Sequence, residues 1–289
     1  MRISPLLLIS IVLLSACFTA SIGQAITGPD STIIYQEEDL KILEEIFSEF
    51  GEFPGPTSDL LLLLGAYFAN SPYVEQSLEH EPEALVVNLR EFDCTTYVES
   101  CLAIARTIRS GKHSFQQFTS ELKNIRYHEG TIDGYPSRIH YFSDWIYLNT
   151  DRQYVEDLSR QIGGVPVNKE INFMSSHPES YRQLSSNSAF IEIIARQEVG
   201  ISSRQMYYLP KDRLAEFESG LREGDIVGIT TSISGLDITH VGVLVRKSGR
   251  MHLMHASSRF KKVIISTYPL EEYLENSKSA TGIMVARPL

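Results

Sequence analysis

The residues best suited to chemistry lie in segment 92–97, which reads FDCTTY. Asp93 is a residue type favoured at helix N-caps, so the segment predicts a helix whose first turn carries Cys94. A thiol in that turn faces unpaired backbone N–H groups and the positive end of the helix dipole, which favour the thiolate and can hold an oxyanion. We therefore predict that Cys94 is a nucleophile in its thiolate form.

A second cysteine, Cys101, lies two turns further along the same predicted helix. Seven residues of helix separate the two Cα atoms by about 10 Å, which is too far for a disulfide. Cys101 also falls on the apolar face of the helix, where burial favours the neutral thiol. We predict that it fills the core.

A nucleophilic cysteine needs a general base, and the base needs a polar group that orients it. His240 begins the apolar run of a predicted strand, from which its ring can reach a neighbouring helix end. His252 and His255 differ by three positions on the next predicted strand, so they point to opposite faces and at most one can join the site. Spacing alone leaves that choice open.

A zinc site is the alternative use of these three histidines, as in metal-dependent cell-wall hydrolases. However, the His-x-x-His spacing of His252 and His255 splays the side chains on a strand, and no companion Glu is present. We expect neither a metal nor another cofactor.

The elements around these residues follow from hydrophobic periodicity. It predicts helices over residues 37–50, 57–68 (capped by Thr57), 94–110, 114–126, 142–149 and 187–199. Runs of β-branched residues predict strands over 225–230, 240–246, 251–257, 262–266 and 282–287. The connections between the first four strands are too short for parallel crossovers. Helices followed by an antiparallel sheet indicate the α+β class.

Composition and boundaries restrict the function further. The 289 residues carry a net charge of -10 and no basic stripe, which excludes nucleic acid as the expected partner. We divide the chain into a signal segment at 1–25, a polar linker at 26–36 and one catalytic domain at 37–289.

The signal segment contains an apolar run at 6–14 after Arg2, which is the right length for the core of a signal peptide. Two cleavage sites compete. Residues 23–25 resemble an ordinary secretory site, and residues 14–17 resemble the bacterial lipobox, whose cysteine is acylated. We favour acylation of Cys17, and we expect an exported, periplasmic protein that a lipid anchors to the membrane.

Four motifs together resemble the NlpC/P60 cysteine peptidases of bacterial cell walls: residues 93–94 (DC), 224–225 (GD), 240–243 (HVGV) and 255–257 (HAS). The sequence is still more similar to one branch, the N-acetylmuramoyl-L-alanine amidase-like family, formerly described as a domain of unknown function. That similarity runs from about residue 40 to the end and includes 87–89, 125–127, 137–145, 172–174 and 235–240.

The resemblance implies a papain-like fold and a Cys-His-His site that acts on peptidoglycan stem peptides. It favours His255 over His252, because Ala and Ser follow His255. Thr95 and Tyr97 stand where the family pattern has Val and Phe, a change that could reshape the pocket beside the nucleophile.

Further candidate substrate contacts surround these motifs. Aromatic side chains could form a wall for a sugar or peptide, although such spacing also fills cores, and an arginine could bind a carboxylate through two hydrogen bonds or be a surface charge. The candidates are Asp93, Thr95, Arg138, His140, Tyr141 and Trp145.

Together these features predict a hydrolase of amides in peptidoglycan or muropeptide fragments. Cys94 would attack the carbonyl, His240 would carry the proton to the leaving amine, and His255 would orient His240. The branch resemblance points to the bond between N-acetylmuramic acid and L-alanine. One alternative is the bond between γ-D-glutamate and the diamino acid, and a second is a lipoprotein that binds peptidoglycan without cutting it.

Overall fold

The computed structural model describes residues 26–28 and 31–289. Its helices are α1 (Glu37–Phe50), α2 (Thr57–Tyr67), α3 (Cys94–Arg109), α4 (Phe115–Arg126), α5 (Phe142–Asp151), α6 (Phe173–Ser176), α7 (Arg182–Ser186), α8 (Ser188–Ser202), α9 (Leu214–Phe217) and α10 (Leu270–Glu275). Its strands are β1 (Ile26–Gly28), β2 (Ser31–Ile34), β3 (Leu85–Val86), β4 (Val155–Asp157), β5 (Val165–Pro166), β6 (Tyr207–Pro210), β7 (Ile226–Thr231), β8 (Ile238–Lys247), β9 (Arg250–Ser257), β10 (Lys262–Ile265) and β11 (Ala280–Pro288). Within these residues, no helix combines the length and apolar character needed to cross a bilayer.

The six predicted helices are confirmed as α1 to α5 and α8, and their ends differ from the prediction by at most three residues. In α2, Pro56 takes the N-cap position that was predicted for Thr57. The four helices that were not predicted, α6, α7, α9 and α10, have at most six residues each. So few turns leave no readable periodicity.

The main sheet has the strand order β10-β9-β8-β7-β11-β6-β5, and β4 pairs with β11. Neighbouring strands in this sheet are antiparallel. The five predicted strands are β7 to β11, and the α+β class with helices packed on an antiparallel sheet is confirmed.

The segment 26–36, which the sequence predicts to be a polar linker, forms strands in the structure. It contains β1 and β2, and β2 runs parallel to β3 with Ile33 opposite Leu85. The β-branched pair Ile33-Ile34 favours this strand, because such side chains pack well on a pleated surface.

Helix α3 is the centre of the core and the element that carries the predicted nucleophile. It packs against α2 and α4 and against strands β8 and β9 of the sheet. The side chains of Cys101, Leu102 and Ala105 are fully buried in the largest apolar cluster. Glu99 and Arg126 form a buried ion pair at 2.6 Å. These contacts fix the position at which the helix begins.

Candidate active site

The start of α3 is held by reciprocal capping. Oδ1 of Asp93 accepts the backbone N–H of Thr96 at 2.7 Å, and the backbone N–H of Asp93 donates to Oγ1 of Thr96 at 3.0 Å. The predicted N-cap is therefore confirmed, and Cys94 is the first residue of the helix. Its own backbone N–H is one of the groups that a helix start leaves without a partner in the helix.

The Cys94 thiol is half-buried. Burial raises its pKa to about 11, and the negative charge of Asp93 acts in the same direction. The backbone N–H of Val241 and the hydroxyl of Thr95 favour the thiolate but do not outweigh burial. Burial therefore favours the neutral thiol at rest, in contrast to the predicted thiolate.

The two candidate imidazoles meet each other directly. Nε2 of His240 lies 2.6 Å from Nδ1 of His255, and the rings are nearly perpendicular. Burial lowers the pKa of His240 to about 4. Burial, together with the charge of His240, lowers the pKa of His255 to about 3. Both rings are therefore neutral at neutral pH.

Strand geometry explains why His255 and not His252 is the partner. In the β8–β9 pairing Val243 is opposite Met254, so His240 and His255 lie diagonally across one face of the sheet. His252 is on the other face, where Nδ1 lies 2.9 Å from the carbonyl oxygen of Ser266. The three histidines do not converge as zinc ligands would.

The thiol lies next to the strand that carries His240. Val241, whose N–H acts on the sulfur, directly follows His240 in β8. The negative charge of a Cys94 thiolate would raise the pKa of Tyr273, whose ring lies 5.5 Å from that of His255. In this described region no hydrogen bond joins the sulfur to either imidazole. A proton could pass from this sulfur to His240 only if the site tightened around a substrate.

The tautomers follow from the 2.6 Å contact between the rings. If His240 donates its Nε2 proton to Nδ1 of His255, then Nδ1 of His240 keeps a free lone pair and can act as a base. Nε2 of His255 then carries a proton, and this buried atom has no hydrogen-bond partner. The arrangement suits a base that is oriented from behind by a second imidazole.

A cavity of about 690 Å³ opens next to the two histidines. Its aromatic walls include Phe260 and Tyr268, each 52% exposed. Tyr273 and Arg259 also line it, whereas Cys94 is not among the lining residues. The space is within the range of small-ligand sites.

A short connecting segment, residues 70–74, joins the two sides of the site. The backbone N–H of Phe92 donates to the carbonyl of Pro72, and Val74 donates to the carbonyl of Phe92, each at 3.0 Å. On the other side, Tyr73 donates to the carbonyl of Lys261 at 3.0 Å. The segment therefore ties the chain before Cys94 to the β9–β10 turn.

Two residues of the site were not predicted. Tyr273 lies in α10, a helix too short to read from the sequence. Asp237 is 6% exposed, and its carboxylate accepts the backbone N–H groups of Ser143 and Ile238 at 2.8 and 2.6 Å. It ties the start of β8, and so His240, to the first turn of α5. Its position three residues before His240 could have identified Asp237 as a candidate site residue from the sequence.

The aromatic candidates for substrate contact are held in the core. Trp145 is 1% exposed, and its ring stacks on Phe142 with centroids 4.7 Å apart. The Tyr141 hydroxyl donates to Glu198 at 2.6 Å. Neither ring lines the cavity. These aromatic side chains therefore bury apolar area in the core and do not form a wall for the substrate.

Arg138 and His140 also have structural partners. Arg138 is 5% exposed and donates to Oε1 of Glu79 at 2.9 Å. Nε2 of His140 lies 2.9 Å from the carbonyl oxygen of Tyr135, and burial lowers the pKa of His140 to about 3. Of the six candidate contacts, the structure brings only Asp93 and Thr95 next to the thiol.

Comparison with known proteins gives the family. A family model described as AmiA-like, N-acetylmuramoyl-L-alanine amidase-like, matches residues 63–283. This chain belongs to that family. Among curated proteins, none matches the chain.

Solved structures agree with this assignment. The chain resembles an N-acetylmuramoyl-L-alanine amidase from Bacteroides uniformis at 37% identity, covering 81% of this chain and 99% of that one, with a TM-score of 0.77. It is also similar to a protein from Bacteroides fragilis described as a putative xylanase, at 37% identity over 78% and 99% of the two chains, with a TM-score of 0.74. A Legionella pneumophila protein at 21% identity, covering 88% and 95% of the chains with a TM-score of 0.69, shares the fold. Family and neighbours identify a hydrolase of the amidase-like type.

Proposed function

We propose that this protein hydrolyses the amide between N-acetylmuramic acid and L-alanine in peptidoglycan or its fragments, with Cys94 as nucleophile. The observation that carries the proposal is the cluster at the start of α3. There the half-buried thiol lies beside Val241, and the preceding His240 is 2.6 Å from His255. The amidase-like family and the B. uniformis relative support the choice of bond.

The first chemical step transfers the thiol proton as the sulfur attacks. The pKa values of about 11 for Cys94 and about 4 for His240 make a resting ion pair unfavourable. Nδ1 of His240 therefore takes the proton while the carbon–sulfur bond forms, and not before. The carbonyl oxygen becomes an oxyanion that the backbone N–H of Cys94 can hold.

The second step releases the amine and leaves an acyl-enzyme. The carbon–nitrogen bond breaks, and the leaving amine takes the proton from His240. Water, deprotonated by His240, then attacks the thioester and returns the thiol. Throughout, Nδ1 of His255 accepts a hydrogen bond from the Nε2–H of His240. This bond holds the His240 ring in place while it acts in turn as base and as acid.

The test is digestion of a defined muropeptide, with the products weighed. Release of a peptide that begins with L-alanine supports the amidase. Cleavage after D-glutamate would instead indicate a γ-D-glutamyl-diamino acid endopeptidase. Binding of the muropeptide without cleavage would indicate a binding protein. Rapid quenching should also show a muramoyl adduct on the tryptic peptide that contains Cys94.

We also propose that the protein is exported and anchored by a lipid on Cys17. Cys17 and the cleavage motifs lie outside the described residues, and the support is the apolar run followed by the lipobox pattern. The mass of the N-terminal peptide from the membrane fraction tests this. A mature chain that begins at unmodified Ile26 would contradict it.

A further inference from the structure

The cavity beside the two histidines has an unusual charge. Among its lining residues, all in the described part of the chain, Arg259 is the one that is permanently charged. The protein as a whole carries a net charge of -10. A cation at this position runs against the prevailing charge and attracts an anionic ligand into the cavity.

The Arg259 side chain is free to bind such a ligand. Within residues 31–289, no carboxylate forms an ion pair with it, whereas Arg138 and Arg250 each have glutamate partners. Its guanidinium lies 5.6 Å from the centroid of the Phe260 ring. Burial raises the pKa of Tyr273 and the charge of Arg259 opposes that change, so the guanidinium lies near this tyrosine, which also lines the cavity.

The turn that carries Arg259 is well held. The backbone N–H of Phe260 donates to Oγ of Ser257 at 3.2 Å, and the carbonyl of Lys261 accepts from Tyr73 at 3.0 Å. A fixed turn reduces the entropy that the arginine loses when it binds a ligand.

The mechanism indicates which half of the substrate occupies the cavity. His240 delivers its proton to the leaving amine, so the leaving half of the substrate lies on the histidine side of the thiol. The cavity opens on that side, and His240 and His255 line it. For the bond between N-acetylmuramic acid and L-alanine, the leaving half is the stem peptide, in which γ-linked D-glutamate carries a free α-carboxylate.

We propose that Arg259 binds the α-carboxylate of D-glutamate in the leaving peptide and thereby selects substrates in which that group is not amidated. This inference rests on the proposed function and adds a specificity-determining residue to it. A guanidinium can hold a carboxylate through two parallel charge-assisted hydrogen bonds, which a carboxamide cannot match.

The test compares two substrates that differ in one group. Both are N-acetylmuramoyl-L-alanyl-γ-D-glutamyl-L-lysine with the C-terminal carboxyl of lysine amidated. They differ only in the α-carboxyl of D-glutamate, which is free in one and amidated in the other. The wild-type protein should have a kcat/KM about 10-fold or more higher for the free acid, because a hydrogen bond to a charged group is lost in the amide. Arg259→Gln should lose this preference by weakening only the acid, and Arg259→Lys should retain part of it.

Lys262→Gln is the matched control. Lys262 is an exposed cation beside the same turn and donates to Asn70 at 2.8 Å, so the substitution removes an equal charge outside the cavity. It should leave the preference unchanged. Equal wild-type rates for the two substrates, or an equal loss on both in Arg259→Gln, would overturn the assignment.

Binding to the Cys94→Ala protein separates this inference from the proposed reaction. Titration calorimetry should show tighter binding of the free acid, and adding Arg259→Gln should remove the difference. If the acid is preferred but wild-type protein cleaves neither substrate, Arg259 keeps its role and the hydrolase proposal fails. If neither compound binds, the carboxylate assignment is wrong.

Discussion

Helix α3 carries two cysteines in very different surroundings. Cys94 is half-buried at the first position of the helix, next to Val241, which follows His240 in β8. Cys101 is two turns further on, fully buried among apolar side chains. Burial raises the pKa of both thiols. Under the proposed mechanism, the two cysteines therefore differ in reactivity because of access and a nearby base, and not because of a stabilised resting thiolate.

The largest expected effect separates the two cysteines by activity. Cys94→Ala should reduce amide cleavage by on the order of 10⁴-fold or more, because removal of a nucleophile abolishes the covalent route. Cys101→Ala, the matched change on the same helix, should keep kcat close to that of the wild type. Product formation from a muropeptide measures both. Wild-type rates in Cys94→Ala would refute the proposed mechanism.

The next largest effect concerns the two histidines on β9. His255→Leu removes the group that orients His240 and should lower kcat by roughly 10²- to 10⁴-fold. His255→Asn, whose amide oxygen can accept the Nε2 proton of His240, should restore part of the loss. His252→Gln, on the opposite face, serves as the control with kcat near that of the wild type. Equal losses at His252 and His255 would show that burial alone explains the effect.

The pH profile sharpens the contrast between a neutral pair and a resting ion pair. The pKa of His240 is about 4, so the imidazole can accept a proton at all higher pH values and loses this ability as pH falls through about 4. We expect kcat/KM to be flat from pH 6 to 8 and to fall only in the acid limb. Circular dichroism at each pH controls for unfolding. A midpoint at the ordinary histidine value near 6.5 would contradict the predicted resting state.

The smallest effect reverses the order of the two cysteines. Because Cys101 is fully buried, Cys101→Ala should lower the free energy of unfolding by about 1 kcal/mol, whereas Cys94→Ala should change it by less than about 0.5 kcal/mol. Urea denaturation of both variants measures this. A larger loss at Cys94 would mean that the thiol is chiefly a packing group.

The sequence predicts the long elements well because each repeats its pattern over several turns. The helices around Leu43 and Cys101 show this. Strand order was not predicted, since nothing local to residues 280–288 shows that this strand lies between β7 and β6. The same limit applies to β4 to β6, which are two to four residues long.

The geometry of the candidate site was predicted in part. Capping chemistry located Cys94, and the family resemblance selected His255 where spacing could not. The protonation state of the thiol was missed, because the desolvation of Cys94 depends on packing that is distant in the chain. The misassigned aromatic group has the same cause. Trp145 has a type that suits either a binding wall or a core, and only the fold shows that it is 1% exposed.

Only a few backbone hydrogen bonds of the connecting segment at residues 70–74 hold the two sides of the candidate site together. Its backbone hydrogen bonds reach Phe92 on one side and Lys261 on the other. Local opening of these few bonds would let Cys94 move away from His240 and His255 while the core around α3 stays intact. Amide hydrogen exchange should then show that these backbone positions open together. Mild denaturant should abolish activity at concentrations below those that unfold the protein.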